Sequence, residues 1–280
     1  MVRGVARLID VCHLGRDRVI GAYERDGAIV DPGPASSVAA LDGIEPRALL
    51  LTHIHLDHAG AAGVLVRRYP DLVVYVHERG APHLVDPSKL LKSAARLYGD
   101  QMQRLWGEVA PLPEGNVRVL TGGETVEGLR VAYTPGHASH HVCYFDESSG
   151  DAYVGDVGGV RIPPSDYTVA PTPPPDIDVE AWRESLDTIA GWSPRRLCLT
   201  HFGEADDPPA QIERVREALA RQLEWAGGGE DVESFGRALK ESMPGDVTPQ
   251  FVQAAPPDQL FLGLERYLAK RAERAEAGAQ

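Results

Sequence analysis

Short apolar segments alternate with amphipathic ones over the first 200 residues, and this alternation predicts strands and helices in turn. Strands are predicted at residues 18–24, 28–30, 48–51, 72–76, 117–120, 129–133, 142–145, 152–154 and 197–200, and helices at 60–69 and 179–190. The first two strands flank Arg25-Asp26-Gly27, which is typical of a hairpin turn. Strands mixed with helices in this way predict an α/β layered fold.

The pattern changes twice towards the end of the chain. Residues 162–178 contain six prolines, which exclude a helix or a central strand and leave either an ordered excursion or a flexible loop. From residue 208 the pattern becomes helical, with predicted helices at 210–225, 232–242 and 258–274. We therefore expect an α/β domain over residues 1–207 and a helical C-terminal extension over 208–280 that packs on it.

Composition is that of a globular protein with an acidic surface. The chain has 280 residues, 43% of them hydrophobic, and a net charge of −13. This balance argues against nucleic acid or an anionic membrane as a partner, since both require clustered basic residues. Three cysteines in apolar segments (Cys12, Cys143 and Cys198) are expected to be buried, reduced thiols. With no signal-peptide pattern at the N-terminus and no long apolar span, a cytoplasmic protein is expected.

The candidate chemistry is concentrated just after the predicted strand 48–51. There the chain reads Thr-His-Ile-His-Leu-Asp-His-Ala-Gly and places His53, His55, Asp57 and His58 within six residues. In locally extended chain, His53 and His55 project to the same side and can share a metal ion. Asp57 and His58 lie where the next helix begins and can face a second one. Imidazole and carboxylate ligands suit zinc, iron, manganese or cobalt.

One short segment cannot complete two coordination spheres, so further ligands must come from elsewhere. Four candidates each follow a predicted strand: Asp31, His137, Asp156 and His201. Loops at strand ends are where α/β folds build their sites. If these loops converge with the histidine cluster, they form two metal sites on one rim.

Taken together and in this order, Asp31, the cluster 53–58, His137, Asp156 and His201 resemble the five motifs of the metallo-β-lactamase superfamily, over about residues 5–205. The resemblance implies a four-layer αββα sandwich and a catalytic domain over 1–207. It implies two divalent metal ions, zinc first, with iron or manganese as alternatives. It also implies the ligands: His53, His55 and His137 for one ion, Asp57, His58 and His201 for the other, and Asp156 between them, with Asp31 behind the metal-binding loop.

Within that superfamily, the third motif resembles the glyoxalase-II-like branch. Residues 137–144 read His-Ala-Ser-His-His-Val-Cys-Tyr, where the branch has His-x-Ser-Gly-His-x-Cys-Tyr. His141 matches the second histidine of that motif and is expected to be structural or to support the ligands. His140 replaces a glycine and either lines the substrate pocket or is solvated. Arg161 and Tyr167, in or near the proline-rich segment, are candidate substrate contacts with His140.

The expected activity is that of a dinuclear metallohydrolase. A metal-bound hydroxide would attack an ester, thioester, lactone or phosphodiester of a small molecule. Asp57 is expected to orient the nucleophile or pass a proton to the leaving group, and Asp156 to act with it. Two alternatives stay open: a mononuclear iron oxidoreductase resembling persulfide dioxygenases, and a metal-retaining binding protein without hydrolytic activity. The expected partner is a small-molecule substrate; the sequence leaves a monomer and a homodimer open.

Overall fold

A computed structural model describes residues 6–229 and 231–278. Its strands are β1 (Arg7–Asp10), β2 (Gly21–Arg25), β3 (Ala28–Val30), β4 (Ala48–Leu50), β5 (Val73–His77), β6 (Val117–Leu120), β7 (Thr125–Val126), β8 (Leu129–Tyr133), β9 (Val142–Asp146), β10 (Asp151–Tyr153), β11 (Val160–Arg161), β12 (Thr168–Val169), β13 (Arg196–Leu199) and β14 (Gly203–Ala205). Its α-helices are α1 (Leu56–Ala59), α2 (Ala62–Arg68), α3 (Ala81–Val85), α4 (Ser88–Tyr98), α5 (Met102–Trp106), α6 (Val179–Gly191), α7 (Pro208–Gly227), α8 (Val232–Ser242), α9 (Thr248–Ala254) and α10 (Pro257–Gly278).

Two six-stranded mixed sheets form the centre of the protein. Their strand orders are β1-β2-β3-β4-β5-β6 and β14-β13-β10-β9-β8-β7. Side chains from both sheets, among them Tyr23 and Leu50 of the first and Tyr144 and Tyr153 of the second, share one buried cluster. The sheets therefore pack face to face, with a hydrophobic layer between them.

Successive side chains of a strand point to opposite faces of its sheet, so each sheet also packs against an outer layer of helices. In β4, Leu50 faces the other sheet, whereas Leu49 joins a cluster that includes Leu65 of α2. In β9, Tyr144 faces inward, and Cys143 joins a cluster with residues of α6 and α7. Because both faces of the central strands β3, β4 and β9 are covered, these strands are nearly continuous apolar segments, whereas the outer strands β1, β6 and β7 are partly exposed. The predicted four-layer αββα sandwich is thus confirmed.

A buried ion pair joins the two sheets. Arg25 ends β2 in the first sheet and Asp146 ends β9 in the second, and their side chains meet at 2.7 Å with about 4% and 3% of each exposed. Asp146 also accepts bonds from the backbone N–H and the hydroxyl of Ser148. The pair therefore fixes the turn after β9 as well as the distance between the sheets.

Most predicted strands and helices agree with the structure to within about three residues. The hairpin is present, although β2 begins at Gly21 rather than at residue 18. Missed elements include β1 and the helices α3, α4 and α5, which are short or, in α4, more than half exposed. The cysteine prediction is correct for Cys143 and Cys198 and wrong for Cys12, which is exposed.

The proline-rich segment 162–178 is an ordered excursion. Both backbone groups of Ala170 bond to the side-chain amide of Gln222 in α7, each at 2.8 Å. Gly263 of α10 approaches the same segment so closely that an added Cβ would lie 1.9 Å from the carbonyl oxygen of Thr172. Helices α7 and α10 thus hold the segment against the body.

The C-terminal helices serve two packing roles. Val215 and Leu219 of α7 belong to the outer layer of the second sheet. Phe235, Phe251 and Leu264, from α8, α9 and α10, form a separate cluster with β11 and β12. The predicted boundary between the two domains at residues 207 and 208 stays a prediction. Residues 1–5, 230 and 279–280 of the predicted domains lie outside the described residues.

Across the described ranges, no helix is long and apolar enough to cross a membrane.

Candidate metal centre

Four chain segments meet at one edge of the sandwich. His53 and His55 follow β4, Asp57 and His58 lie in α1, His137 follows β8, Asp156 follows β10, and His201 lies between β13 and β14. Each segment leaves a strand that is fixed in its sheet by hydrogen bonds. The sheets therefore determine where these side chains meet.

The first cluster consists of three imidazoles and one carboxylate. His55 Nδ1 lies 3.0 Å from His53 Nε2 and 2.9 Å from His137 Nε2. Asp156 Oδ2 lies 3.3 Å from His137 Nε2. Four ligands at about 2.0–2.1 Å from one zinc ion would stand about 3.3 Å apart. The observed spacing therefore fits a single ion between these atoms.

The second cluster is made by Asp57, His58 and His201. Asp57 Oδ2 lies 3.4 Å from His201 Nε2 and 3.9 Å from His58 Nε2. Asp156 reaches this cluster with its other oxygen: Oδ1 lies 3.0 Å from His58 Nε2 and 3.5 Å from His201 Nε2. One carboxylate thus offers an oxygen to each cluster. This arrangement fits a ligand that bridges two ions.

The rear nitrogens of four histidines are hydrogen-bonded, which fixes how the rings point. The acceptors of their Nδ1–H groups are Thr52 Oγ1 for His53 (3.1 Å), Asp31 Oδ2 for His58 (2.8 Å), the Pro171 carbonyl for His137 (2.8 Å) and the Val19 carbonyl for His201 (2.5 Å). A carbonyl only accepts, so the proton must lie on Nδ1. Nε2 then presents its lone pair to the centre, as a metal ligand requires.

Asp31 organises the loop behind the ligands. Its Oδ1 accepts the backbone N–H of Thr52 at 2.8 Å. Its Oδ2 accepts the hydroxyls of Thr52 at 2.7 Å and Thr200 at 3.1 Å, in addition to His58. Asp31 is 1% exposed. Because its oxygens are occupied in this way, Asp31 positions ligands and is not one itself.

Buried atoms without partners test whether a metal fits. Within the described residues, His58 Nε2, His201 Nε2 and Asp156 Oδ1 are buried and make no hydrogen bond, although they face one another. Leaving such groups unpaired is costly, and native structures rarely do so. A cation between them would satisfy all three. The donor set of imidazole and carboxylate groups is also the one that zinc, iron and manganese take.

Electrostatics in the first cluster favour the ligand form of its histidines. Burial and the neighbouring imidazoles lower the pKa of His53 well below its ordinary value. Burial, with the help of His137, lowers the pKa of His55 to about 4. Burial lowers the pKa of His137 as well. All three are therefore neutral at pH 7, which is the state that binds a metal ion.

Carboxylates reverse this balance in the second cluster. Burial would lower the pKa of His58 and His201, but Asp156 and the other carboxylates outweigh it and raise both. Burial would raise the pKa of Asp57 and Asp156, yet the nearby imidazoles hold both pKa values low. Without metal, the cluster is a network of imidazolium and carboxylate groups. A metal ion must displace protons to bind there.

The two further histidines of the third motif lie against the first cluster. His141 is buried, its Nδ1 lies 3.0 Å from Thr134 Oγ1, and its ring stacks on His53 at 5.1 Å. It therefore supports a ligand. His140 lines the cavity described below and stacks on His53 at 6.2 Å. Of the two alternatives for His140, pocket lining is the one observed.

Arg161 and Tyr167 lie outside the lining of the cavity described below, and their contact with substrate stays a prediction. The backbone N–H of Arg161 donates to the His201 carbonyl at 2.6 Å. Arg161 donates to the Glu204 carbonyl at 2.6 Å and pairs with Asp166. The Tyr167 hydroxyl meets Ser242, and its ring packs edge-on against Phe251. Their own neighbours among the C-terminal helices and β14 hold them, which no local pattern could reveal.

A cavity of about 490 Å³ opens onto the metal centre, a size typical of small-molecule sites. His55, Asp57 and Asp156 lie on its surface. Its other walls come from α4 and α5, from prolines 171 and 173–175, and from residues 253–260. Residues that sequence reasoning misses line it too: His13, Tyr98 and Trp106. A lone histidine such as His13 is expected in the core, and nothing in its local sequence indicates otherwise.

Comparisons with known proteins agree with this architecture. A family model described as the metallo-β-lactamase superfamily matches residues 19–201. The chain is 27% identical over 207 residues to the metallo-β-lactamase fold-containing protein ST1585 of Sulfurisphaera tokodaii, covering 71% of this chain and 77% of that protein. The crystal structure of ST1585 superposes with a TM-score of 0.71 at 23% identity, covering 92% of this chain and 97% of the other.

The names of two other similar proteins mention an activity or a metal. A hydroxyacylglutathione hydrolase of Synechococcus sp. is 33% identical over 136 residues, covering 46% of this chain and 42% of that protein. A crystal structure of TTHA1623 in a di-iron-bound form is 27% identical with a TM-score of 0.51, covering 75% of this chain and 90% of the other.

Proposed function

The chain belongs to the metallo-β-lactamase superfamily, and on that basis we propose that it is a hydrolase that uses two divalent metal ions to cleave an ester, thioester, lactone or phosphodiester of a small molecule. One observation carries the proposal: two ligand clusters lie side by side and share Asp156, whose two oxygens face one cluster each. A structural metal site needs only one closed cluster. Two clusters on the surface of a cavity favour catalysis.

When bound, the two ions supply an activated water as nucleophile and an electrophile that polarises the substrate oxygen. The chain's own groups do the rest. Burial holds His53, His55 and His137 neutral, and rear hydrogen bonds orient His53 and His137. Asp57, with 22% of its side chain exposed to the cavity, is placed to orient the nucleophile or to hold a proton for the leaving group.

Zinc is the first expectation for the metal, with iron or manganese as alternatives, since the ligand types suit all three. The di-iron form of TTHA1623 supports iron as a serious alternative. The hydroxyacylglutathione hydrolase relative supports hydrolysis as the reaction class. The small cavity supports a small-molecule substrate.

The test is metal content per chain, by mass spectrometry on protein purified without added metal, followed by a panel of an ester, a thioester, a lactone and a phosphodiester. We expect about two ions per chain and turnover of at least one class. His55→Ala should remove metal and activity, whereas His77→Gln, a buried histidine away from the cavity, should remove neither. One iron per chain with oxygen uptake, or two ions without any hydrolysis, would overturn the proposal.

A further inference from the structure

His13 is a buried histidine beside the metal centre that belongs to neither ligand cluster. It begins a short 3-10 turn, His13–Gly15, after β1, and 2% of it is exposed. It lines the same cavity as His55, Asp57 and Asp156. After burial itself, Asp57 and His201 are the groups that most affect its pKa. His13 therefore shares a cavity wall with residues of both candidate clusters.

The ring is held firmly, yet one nitrogen is unused. Nδ1 lies 3.1 Å from Ser37 Oγ, and the ring stacks on Trp106 at 5.7 Å with an angle of 5°. Gln253 donates to the His13 carbonyl at 2.9 Å. His13 Nε2 is buried and makes no hydrogen bond within the described residues. A buried polar atom fixed in this way at a cavity wall indicates a partner that comes with the ligand.

The wall beside His13 is apolar. Leu56, Ala94 and Trp106 form its core, and Leu90, Tyr98 and Leu105 pack on them; all six line the cavity. The Tyr98 hydroxyl donates to Gln259 Oε1 at 3.2 Å and is thereby satisfied. An apolar wall favours an uncharged, apolar group of the substrate over a charged one.

We infer that His13 and this wall form a subsite for an apolar acyl group, with Nε2 of His13 as its polar contact. The substrate class is then a carboxylic ester or thioester with a medium-length apolar acyl chain. In the tautomer that the proposal requires, the Ser37 hydroxyl donates to Nδ1 and the proton lies on Nε2. This Nε2–H would donate a hydrogen bond to the ester or thioester leaving atom. This inference rests on the proposed hydrolase, and the binding measurement below separates its failure from failure of that proposal.

Binding is measured by calorimetry on the metal-free full chain, with 2-octanone and 2-butanone as uncharged analogues that cannot be hydrolysed. Each buried methylene contributes about fourfold to affinity. We expect 2-octanone to bind at least about tenfold more tightly, and Leu105→Ser to abolish the difference. Val109→Ser is the matched control, since Val109 packs on the same cluster without lining the cavity. Equal affinities in the wild type, or an equal effect of Val109→Ser, would overturn the subsite.

Kinetics test His13 itself, on metal-loaded protein with p-nitrophenyl hexanoate. We expect His13→Ala to lower kcat about 10- to 100-fold with little change in KM, in metal content or in thermal stability. His13→Gln, whose amide can donate near the position of Nε2, should restore part of the loss. His77→Gln should leave kcat unchanged. The proposed role of His13 in the reaction would be overturned if kcat is unchanged in His13→Ala, or if kcat falls only in proportion to a loss of bound metal. If the wild type hydrolyses no ester while 2-octanone binds as expected, the hydrolase proposal fails and the apolar subsite stands.

Discussion

Asp31 accepts the Nδ1–H of His58 at 2.8 Å and thereby fixes the proton on the side of the ring that faces away from the metal centre. We expect Asp31→Asn to reverse this. The oxygen of the new amide can keep the hydrogen bond from the Thr52 N–H, which places the amide nitrogen against His58. Nδ1 of His58 must then accept a hydrogen bond, so the ring proton moves to Nε2. The second cluster then loses a ligand lone pair. Metal affinity there should fall about 10- to 100-fold, which metal titration with a competing chelator measures.

Asp42→Asn is the control for that substitution, because Asp42 makes only an exposed pair with Arg68. Its metal affinity should equal that of the wild type. Unchanged affinity in Asp31→Asn would show that Asp31 does not set the tautomer of His58.

Asp156 offers one oxygen to each cluster, so its loss should affect both ions. Asp156→Asn is expected to leave a folded chain that holds less than about one ion, because the amide nitrogen cannot bind a metal. His55→Ala should remove chiefly the ion of the first cluster. Mass spectrometry of the intact, dialysed proteins measures both. Two ions retained in Asp156→Asn would exclude the bridging assignment.

The pair of Arg25 and Asp146 should matter for stability. Asp146→Ala strands a buried guanidinium and removes the Ser148 bonds, so the free energy of unfolding should fall by about 3–5 kcal/mol. Arg25→Met with Asp146→Leu should recover much of that loss, since no buried charge is left unpaired. Urea unfolding of the metal-free proteins measures both. A loss below about 1 kcal/mol in Asp146→Ala would mean that water reaches the pair.

Two helical glycines offer a matched pair of substitutions. An added Cβ at Gly263 would lie 1.9 Å from the Thr172 carbonyl oxygen, whereas one at Gly236 would meet Pro257 at an ordinary 3.6 Å. Gly263→Ala should therefore push α10 away from the proline-rich wall and destabilise the protein by about 1–3 kcal/mol. Gly236→Ala should stabilise it by up to about 1 kcal/mol through helix propensity. Equal effects in urea unfolding would contradict the close approach.

Metal binding should become more stabilising as pH rises. Carboxylates raise the pKa of His58 and His201 in the metal-free chain, so their contribution to folding is complete below about pH 6.5 and is lost as pH rises through the raised values. The metal-loaded chain needs both rings neutral and escapes this loss. The difference in Tm between loaded and chelated protein should widen from about pH 6 to about pH 9.

Asp156→Asn, in which little metal is expected, controls for effects of the chelator alone and should show almost no difference at any pH. If the Tm difference between loaded and chelated wild-type protein stays constant or narrows as pH rises, the metal-free second cluster does not hold the protons that its raised histidine pKa values require.

Local sequence is enough to predict an α/β layered fold and where the candidate ligands lie along the chain, and the resemblance of the five motifs to a known family adds the sandwich. Largely apolar segments such as 48–50 and 151–153 are strands buried on both faces, and metal-ligating residue types follow them within a few residues. His53, His55, Asp57 and His58 lie so close in sequence that their juxtaposition is almost a local property. The alternation in β4 likewise sets which side chains face the other sheet.

The neighbours of isolated side chains depend instead on how distant segments pack. His13 lies beside Trp106, which is far away in sequence, and the same local sequence would suit a core position. Arg161 and Tyr167 follow the candidate ligand Asp156 in sequence, yet β14 and the C-terminal helices hold their side chains outside the cavity lining. Helix α4 has a clear amphipathic pattern and α5 contributes the buried Trp106, yet neither sequence indicates that the inward face lines a cavity. Packing across long sequence separations sets such contacts, whereas periodicity reports only the direction in which a residue faces.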